Sequence, residues 1–173
     1  MREVIKKQIK SMEKIEQKVE ETMLGTRDLF METLKKIGCQ YSIDEQDGRI
    51  GFAFQGENFV VDVTDGNSYI RIWDLYWTSA EMYDVNEVSR LKRAINSANL
   101  STGLTTVYTI NDAGSTIDVH CRSTVLFISQ IPDLENYLRL ELNEFFRAHR
   151  HVELELERLR NEENCSITPS EGN

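Results

Sequence analysis

Proline is scarce in this chain, with two in 173 residues, and glycine stands at nine. That excludes collagen-like repeats and proline- or glycine-rich low complexity. The three cysteines, Cys39, Cys121 and Cys165, are odd in number and far apart, and none forms a CxxC or Cys/His ligand pattern. Reduced thiols in a cytoplasm are therefore the expectation, rather than a disulfide framework or a zinc site. No apolar run is long enough to span a bilayer, and the charged opening from Met1 to Lys10 holds no apolar stretch of the kind a secretory signal needs. Positive charge is also in deficit, since 20 Lys+Arg face 29 Asp+Glu for a formal net charge of -9. Binding nucleic acid by counterion release and attaching to lipid through basic residues both need the opposite balance, so neither partner is expected.

Signature strings for nucleotide, hydrolase and zinc-protease chemistry are missing as well: no GxxxxGK(S/T), GxGxxG, GxSxG or HExxH occurs. What remains is ordinary globular material, 40% hydrophobic and 28% charged. That is enough to build one core without metal or disulfides.

Residues 3–24 read as an amphipathic helix, with Ile5, Ile9, Met12, Ile15, Val19 and Met23 at three- and four-residue steps among Lys and Glu. Gly25 interrupts it, Thr26 is placed to cap a second helical run through Phe30 and Leu34, and Gly38 is placed to stop that run. From Cys39 the period shortens to two. Tyr41 and Ile43, then Ile50, Phe52 and Phe54, then Phe59, Val61 and Val63, then Tyr69–Trp77 alternate between turns at Asp47-Gly48, Gln55-Gly56 and Asp65-Gly66. Short turns between successive strands predict an antiparallel four-strand meander.

A helix from about Val85 to Ala98 follows, with Asp84 as its cap and Glu87 at the third position. A two-strand hairpin comes next, through Leu104, Thr106, Tyr108 and Ile110 and back through Ile117, Val119 and Cys121. A change of apolar phase toward Leu126 and Ile128 predicts a bulge between Arg122 and Val125. The last helix is expected to start at Pro132, with Asp133 and Glu135 in its first turn. Leu138, Leu142, Phe145, His149, Val152, Leu156 and Leu159 then step by alternating fours and threes, a heptad seam. The stretch after about 150 is expected to project beyond the sheet.

The predicted class is α+β: helix, four-strand antiparallel meander, helix, two-strand hairpin, long C-terminal helix. The expected divisions are an amphipathic helical arm (1–25), an α+β domain (26–150), a helical extension (151–163) and a flexible tail (164–173).

The residues Leu34-Lys35-Lys36-Ile37-Gly38-Cys39-Gln40-Tyr41, Asp47-Gly48-Arg49-Ile50, Phe59-Val60-Val61-Asp62-Val63, Tyr69-Ile70-Arg71-Ile72 and Ala94-Ile95-Asn96, in this element order, resemble the YbjN family. The resemblance covers roughly residues 26 to 150 and carries no catalytic signature. It implies a fold like that of the type III secretion chaperones. It also implies a small acidic cytoplasmic protein of bacterial type that acts as a regulator or chaperone-like adaptor by binding other proteins, without enzymatic activity.

Candidate chemistry is correspondingly thin. His149 and His151 are about 200° apart around a helix and cannot share a metal, while His120 and Cys121 are strand neighbours pointing to opposite faces. No catalytic residue, metal site or cofactor is expected. Tyr69, Arg71, Trp73 and Trp77 fall on one face of the fourth strand. Two readings follow: a strand buried on both sides, or an aromatic face that holds another protein. Leu142, Phe145, His149, Val152, Leu156 and Leu159 are the candidate assembly seam, packing either against the N-terminal arm of the same chain or between chains as a homodimer. The competing functional class is a small-molecule or nucleotide sensor, its pocket between sheet and helix lined by Arg71, His120 and Arg122.

Overall fold

A computed structural model describes residues 25–167. The expected arm over residues 1–24 and the tail beyond 167 lie outside the described residues. The element order is α1 (Thr26–Lys36), β1 (Tyr41–Ile43), β2 (Ile50–Phe54), β3 (Glu57–Asp62), β4 (Tyr69–Glu81), α2 (Val85–Ser101), β5 (Thr105–Ile110), β6 (Thr116–Leu126) and α3 (Leu134–Ile167). The fold is α+β, with every strand pair antiparallel in a six-stranded sheet of order β1-β2-β3-β4-β6-β5. The hairpin β5–β6 returns after α2 and sets β6, not β5, beside β4.

The elements begin and end for local reasons, some of them different from those expected. Thr26 is not the cap of α1; Gly25 holds that position, and Asp65 Oδ1, from the β3–β4 loop, accepts the Arg27 amide at 3.0 Å. A Cβ on Gly25 would lie 2.3 Å from that oxygen, so a larger residue would displace the capping group. Gly38, at φ +86, ends the helix as expected, and the Cys39 amide bonds back to Leu34 O at 2.9 Å. Asp84 caps α2 as expected, its Oδ1 accepting from Glu87 N at 2.9 Å. Pro132 stands outside α3. Asp133 begins it instead, its carboxylate accepting the Asn136 amide at 3.2 Å.

The expected bulge in the last strand is absent. Cys121, Ser123, Val125 and Phe127 keep one phase and are all buried, and the small buried hydroxyl of Ser123 is what broke the apolar pattern in the sequence. The irregularity falls in β4. Four residue steps from Asp74 to Thr78 face two steps from Cys121 to Val119, so β4 carries two extra residues there. Tyr76 sits within the bulge at φ +59, in the left-handed region.

The three described helices all cover the same face of the sheet. Phe30 and Leu34 of α1 and Leu138, Leu142 and Phe145 of α3 join Ile50, Phe52, Phe59, Ile70, Ile72 and Phe127 in one cluster. Val88, Leu91, Ile95 and Ala98 of α2 join Ile117, Val119, Val152 and Leu156 in a second. Helix α3 bridges both.

The C-terminal stretch does not project. Val152, Leu156 and Leu159 are buried, α2 supplies the surface that a sheet alone could not, and ion pairs from Glu87 to Arg160 and from Arg90 to Glu163 tie the two helices. The helix also continues through Ile167, past the start of the tail read from the sequence.

Candidate functional site

The other face of the sheet has no helix over it among the described residues. The register places Val60, Asp62, Tyr69, Arg71, Trp73, Thr105, Val107, His120, Arg122 and Thr124 on that side, because each is paired with, or alternates with, a neighbour on the same surface. Trp73 lies at its centre, half-buried, opposite Val60 on β3 and Arg122 on β6. The Arg122 guanidinium lies 5.4 Å from the Trp73 ring centroid, within cation–π range. The indole Nε1 donates to Asp62 Oδ2 at 3.4 Å, and the other carboxylate oxygen of Asp62 is 2.9 Å from Arg49 Nε. Arg49 in turn reaches Asp47 at 3.3 Å. A chain of alternating charge thus runs from the β1–β2 turn to the central ring. Tyr69 is 55% exposed at one end of the same face.

His120 closes the other end. Although it is on the open side of the sheet, the bulge folds over it and leaves it 4% exposed. The Tyr76 amide donates to its Nδ1 at 3.1 Å, so Nε2 carries the proton and donates to Thr109 Oγ1 at 2.8 Å. The Tyr76 ring meets the imidazole edge-on at 4.7 Å between centroids. Burial holds the His120 pKa below its ordinary value, against the opposing pull of Asp118 and Asp74. The imidazole is neutral and fully engaged. It is a brace for the bulge, not an available base.

The four aromatic-strand candidates therefore separate. Tyr69, Arg71 and Trp73 share the open face, whereas the bulge turns Trp77 to the helix side, where its ring stacks on His149 at 4.0 Å with 16° between planes. The six seam candidates are brought together, but inside the chain: Leu142, Phe145, Val152 and Leu159 are essentially inaccessible, and His149 and Leu156 are nearly so. Packed against their own sheet and α2, these side chains have no surface left to offer a second copy. Arg71, His120 and Arg122 lie on the face away from the helices, so no sensor pocket between sheet and helix is lined by them.

One polar group escaped the sequence reading. Asp74 is 1% exposed on the helix side, paired with Phe59 and Cys121, and its Oδ2 lies 3.1 Å from His149 Nε2. The ring N–H is poorly aligned with that oxygen, leaving both atoms without a well-formed hydrogen bond. The signal was present, since Asp74 continues the alternation of Ile70 and Ile72 and so falls on a core position. Beside it, burial pushes the Cys121 thiol up to about 11, which leaves it protonated and unreactive at neutral pH. Among the described residues no group of three His, Cys, Asp or Glu side chains gathers to hold a metal, and no helix is long and apolar enough to cross a membrane.

No protein-family model matches the chain, and no curated protein matches it in sequence. Solved structures resemble it in fold. An uncharacterized protein from Methanothermobacter thermautotrophicus aligns over 77% of this chain and 97% of its own, with a TM-score of 0.51 and 9% identity. YbjN from E. coli, a candidate transcription regulator, aligns over 79% and 92% respectively, with a TM-score of 0.46 and 11% identity. At such identities the relationship is a distant one of fold alone.

Proposed function

We propose that the chain is a non-catalytic protein-binding module, an adaptor or regulator of chaperone-like kind, and that the open sheet face is its binding surface. The observation that carries this reading is the position of Trp73. An indole with an arginine on its ring sits at the centre of a sheet face that no described element covers. Tryptophan, tyrosine and arginine dominate the energetics of protein interfaces, and sheets that face water on one side do not require such residues there for folding. The titratable groups of the molecule support the same reading. His120 is locked in two hydrogen bonds, and Cys121 is a buried neutral thiol.

The test is the Trp73→Ala variant of the full chain, compared with wild type by affinity capture from the native cytoplasm and by thermal unfolding. A protein captured reproducibly by wild type and lost by an equally folded variant supports the reading. Equal capture by both, or loss of cooperative unfolding in the variant, overturns it.

A further inference from the structure

We infer that the segment held on this face is acidic: an extended stretch of a partner protein whose carboxylates pair with Arg71 and Arg122 while an apolar side chain lies on Trp73. The inference rests on the protein-binding reading above and names the partner's chemistry.

It begins with an imbalance. The chain carries a net charge of -9, so cations should find carboxylates easily. Five arginines do: Arg49, Arg90, Arg147, Arg158 and Arg160 have ion-pair partners, while Arg27 and Arg139 spend their guanidiniums on backbone carbonyls. Arg71 and Arg122, in the middle of the sheet, have none among the described residues. Arg71 stands opposite Asp62 across β3–β4, the carboxylate best placed to neutralise it. Asp62 is instead held by Arg49 at 2.9 Å and by the Trp73 indole at 3.4 Å. The neighbour of Arg71 on the other side is Thr124, and the neighbours of Arg122 are Trp73 and Thr105, none of them charged.

The spacing makes the pair usable. Arg71 and Trp73 are alternate residues on one strand face, about 7 Å apart, and Arg122 lies directly across from Trp73 on a strand about 5 Å away. Trp73 thus has one arginine two residues along its own strand and another directly across from it, the latter with its guanidinium on the ring. Each presents a fork of donors that a carboxylate can accept in parallel, and guanidinium loses less hydration on burial than ammonium does. The surface between them is apolar, with Val60 and Trp73 at its centre.

Phosphate would also suit a guanidinium, but nucleic acid is the weaker occupant. Useful affinity for a phosphate backbone needs many neutralised charges, and this face offers two free ones within a strongly acidic chain. A peptide needs one or two carboxylates and an apolar anchor. At physiological salt, screening over roughly 8 Å keeps the more distant acids of the chain from cancelling the contact.

The experiment titrates the full chain, followed by tryptophan emission, with three probes: a short alternating Glu–Leu peptide, the same peptide with Lys for Glu, and a short oligothymidylate. The Glu–Leu peptide is expected to bind best, and the double variant Arg71→Gln/Arg122→Gln to weaken it by about tenfold or more. Raising salt from about 50 to about 500 mM should weaken it too, as expected for partly exposed charge pairs. Both arginines lie on the solvent side of the sheet, and matching unfolding midpoints would show the variants to be folded. Arg71→Lys/Arg122→Lys, which keeps charge and loses the fork, should retain part of the affinity.

Equal binding of the Glu and Lys peptides, no binding of the Glu peptide, or indifference to the double variant overturns the inference. If the Lys peptide binds in a Trp73-dependent way, the face still holds protein and only its acidic preference is wrong. If the oligothymidylate binds more tightly than either peptide, both this inference and the protein-binding reading fall. A dimer mass in sedimentation that the double variant abolishes would assign the face to a second copy and overturn it as well.

Discussion

The two faces of this sheet are made from the same strands and the same alternation, yet they are built from different side chains. On the helix side, Phe52, Phe59, Ile70, Ile72 and Val125 are buried under three helices, and the aromatic rings meet edge-on or stacked at 5.2 to 5.9 Å. On the other side, most alternate residues of the same strands are Gly, Ala, Asn, Asp, Arg, His or Thr, with Tyr69, Trp73, Val60, Val107 and Leu126 as the large apolar or aromatic exceptions. The helix side is energetically committed. The open side is marked above all by two guanidiniums, those of Arg71 and Arg122, that have no ion pair among the described residues. Under the proposed function, stability and recognition are separated by a side-chain period of two.

The comparison would break most visibly at the centre of the buried side. Phe145→Ala removes a ring that meets Phe59 at 5.2 Å and is fully buried, and should lower the unfolding free energy in urea by about 3–5 kcal/mol. If the loss is under 1 kcal/mol, the helix does not hold the sheet as described.

Removing one member of the buried polar pair should come next. His149→Leu leaves the Asp74 carboxyl, 1% exposed, facing an apolar side chain in place of the imidazole, at an expected cost of about 1–3 kcal/mol. Adding Asp74→Leu should recover much of that loss, a double-mutant cycle that sharpens what a polar pair contributes inside an otherwise apolar face.

Trp73→Ala, on the open side, should cost only about 1 kcal/mol, because the ring is half-buried and its indole bond is long. A cost as large as that of Phe145→Ala would erase the distinction between the faces.

The smallest effect concerns pH. Burial depresses the pKa of His120, so the unfolded chain takes up the proton first as pH falls. Its contribution is complete above the unfolded value of about 6.5 and declines as pH drops from there toward the folded value. His120→Asn should flatten that part of the pH–stability profile measured by thermal unfolding.

Much of this organisation was legible in the residues. The meander, the middle helix with its Asp84 cap, the Gly38 stop and the seam from Leu138 to Leu159 all follow from periods of 2 and 3.6 and from capping chemistry. The site was half legible. Tyr69, Arg71 and Trp73 do share a face, but Trp77 does not. Its placement depends on two extra residues in β4 that are extra only relative to β6, a strand some forty residues away. Two arginines compete for Asp62, Arg49 across the β2–β3 hairpin and Arg71 across β3–β4. Asp62 is claimed by Arg49, and that outcome, which depends on side-chain geometry rather than on pattern, leaves Arg71 without an ion pair among the described residues.

The sequence by itself determined the elements and their apolar faces, because hydrophobic period and end-capping are properties of contiguous residues. It also determined the acidic balance of the chain, which is a matter of counting. Tertiary structure alone decided that three helices gather on one side, that the heptad seam closes on its own sheet and on α2, and that a bulge divides Trp77 from Trp73. These outcomes depend on which surfaces meet first and bury most area, and on pairing across strands. No single segment encodes either.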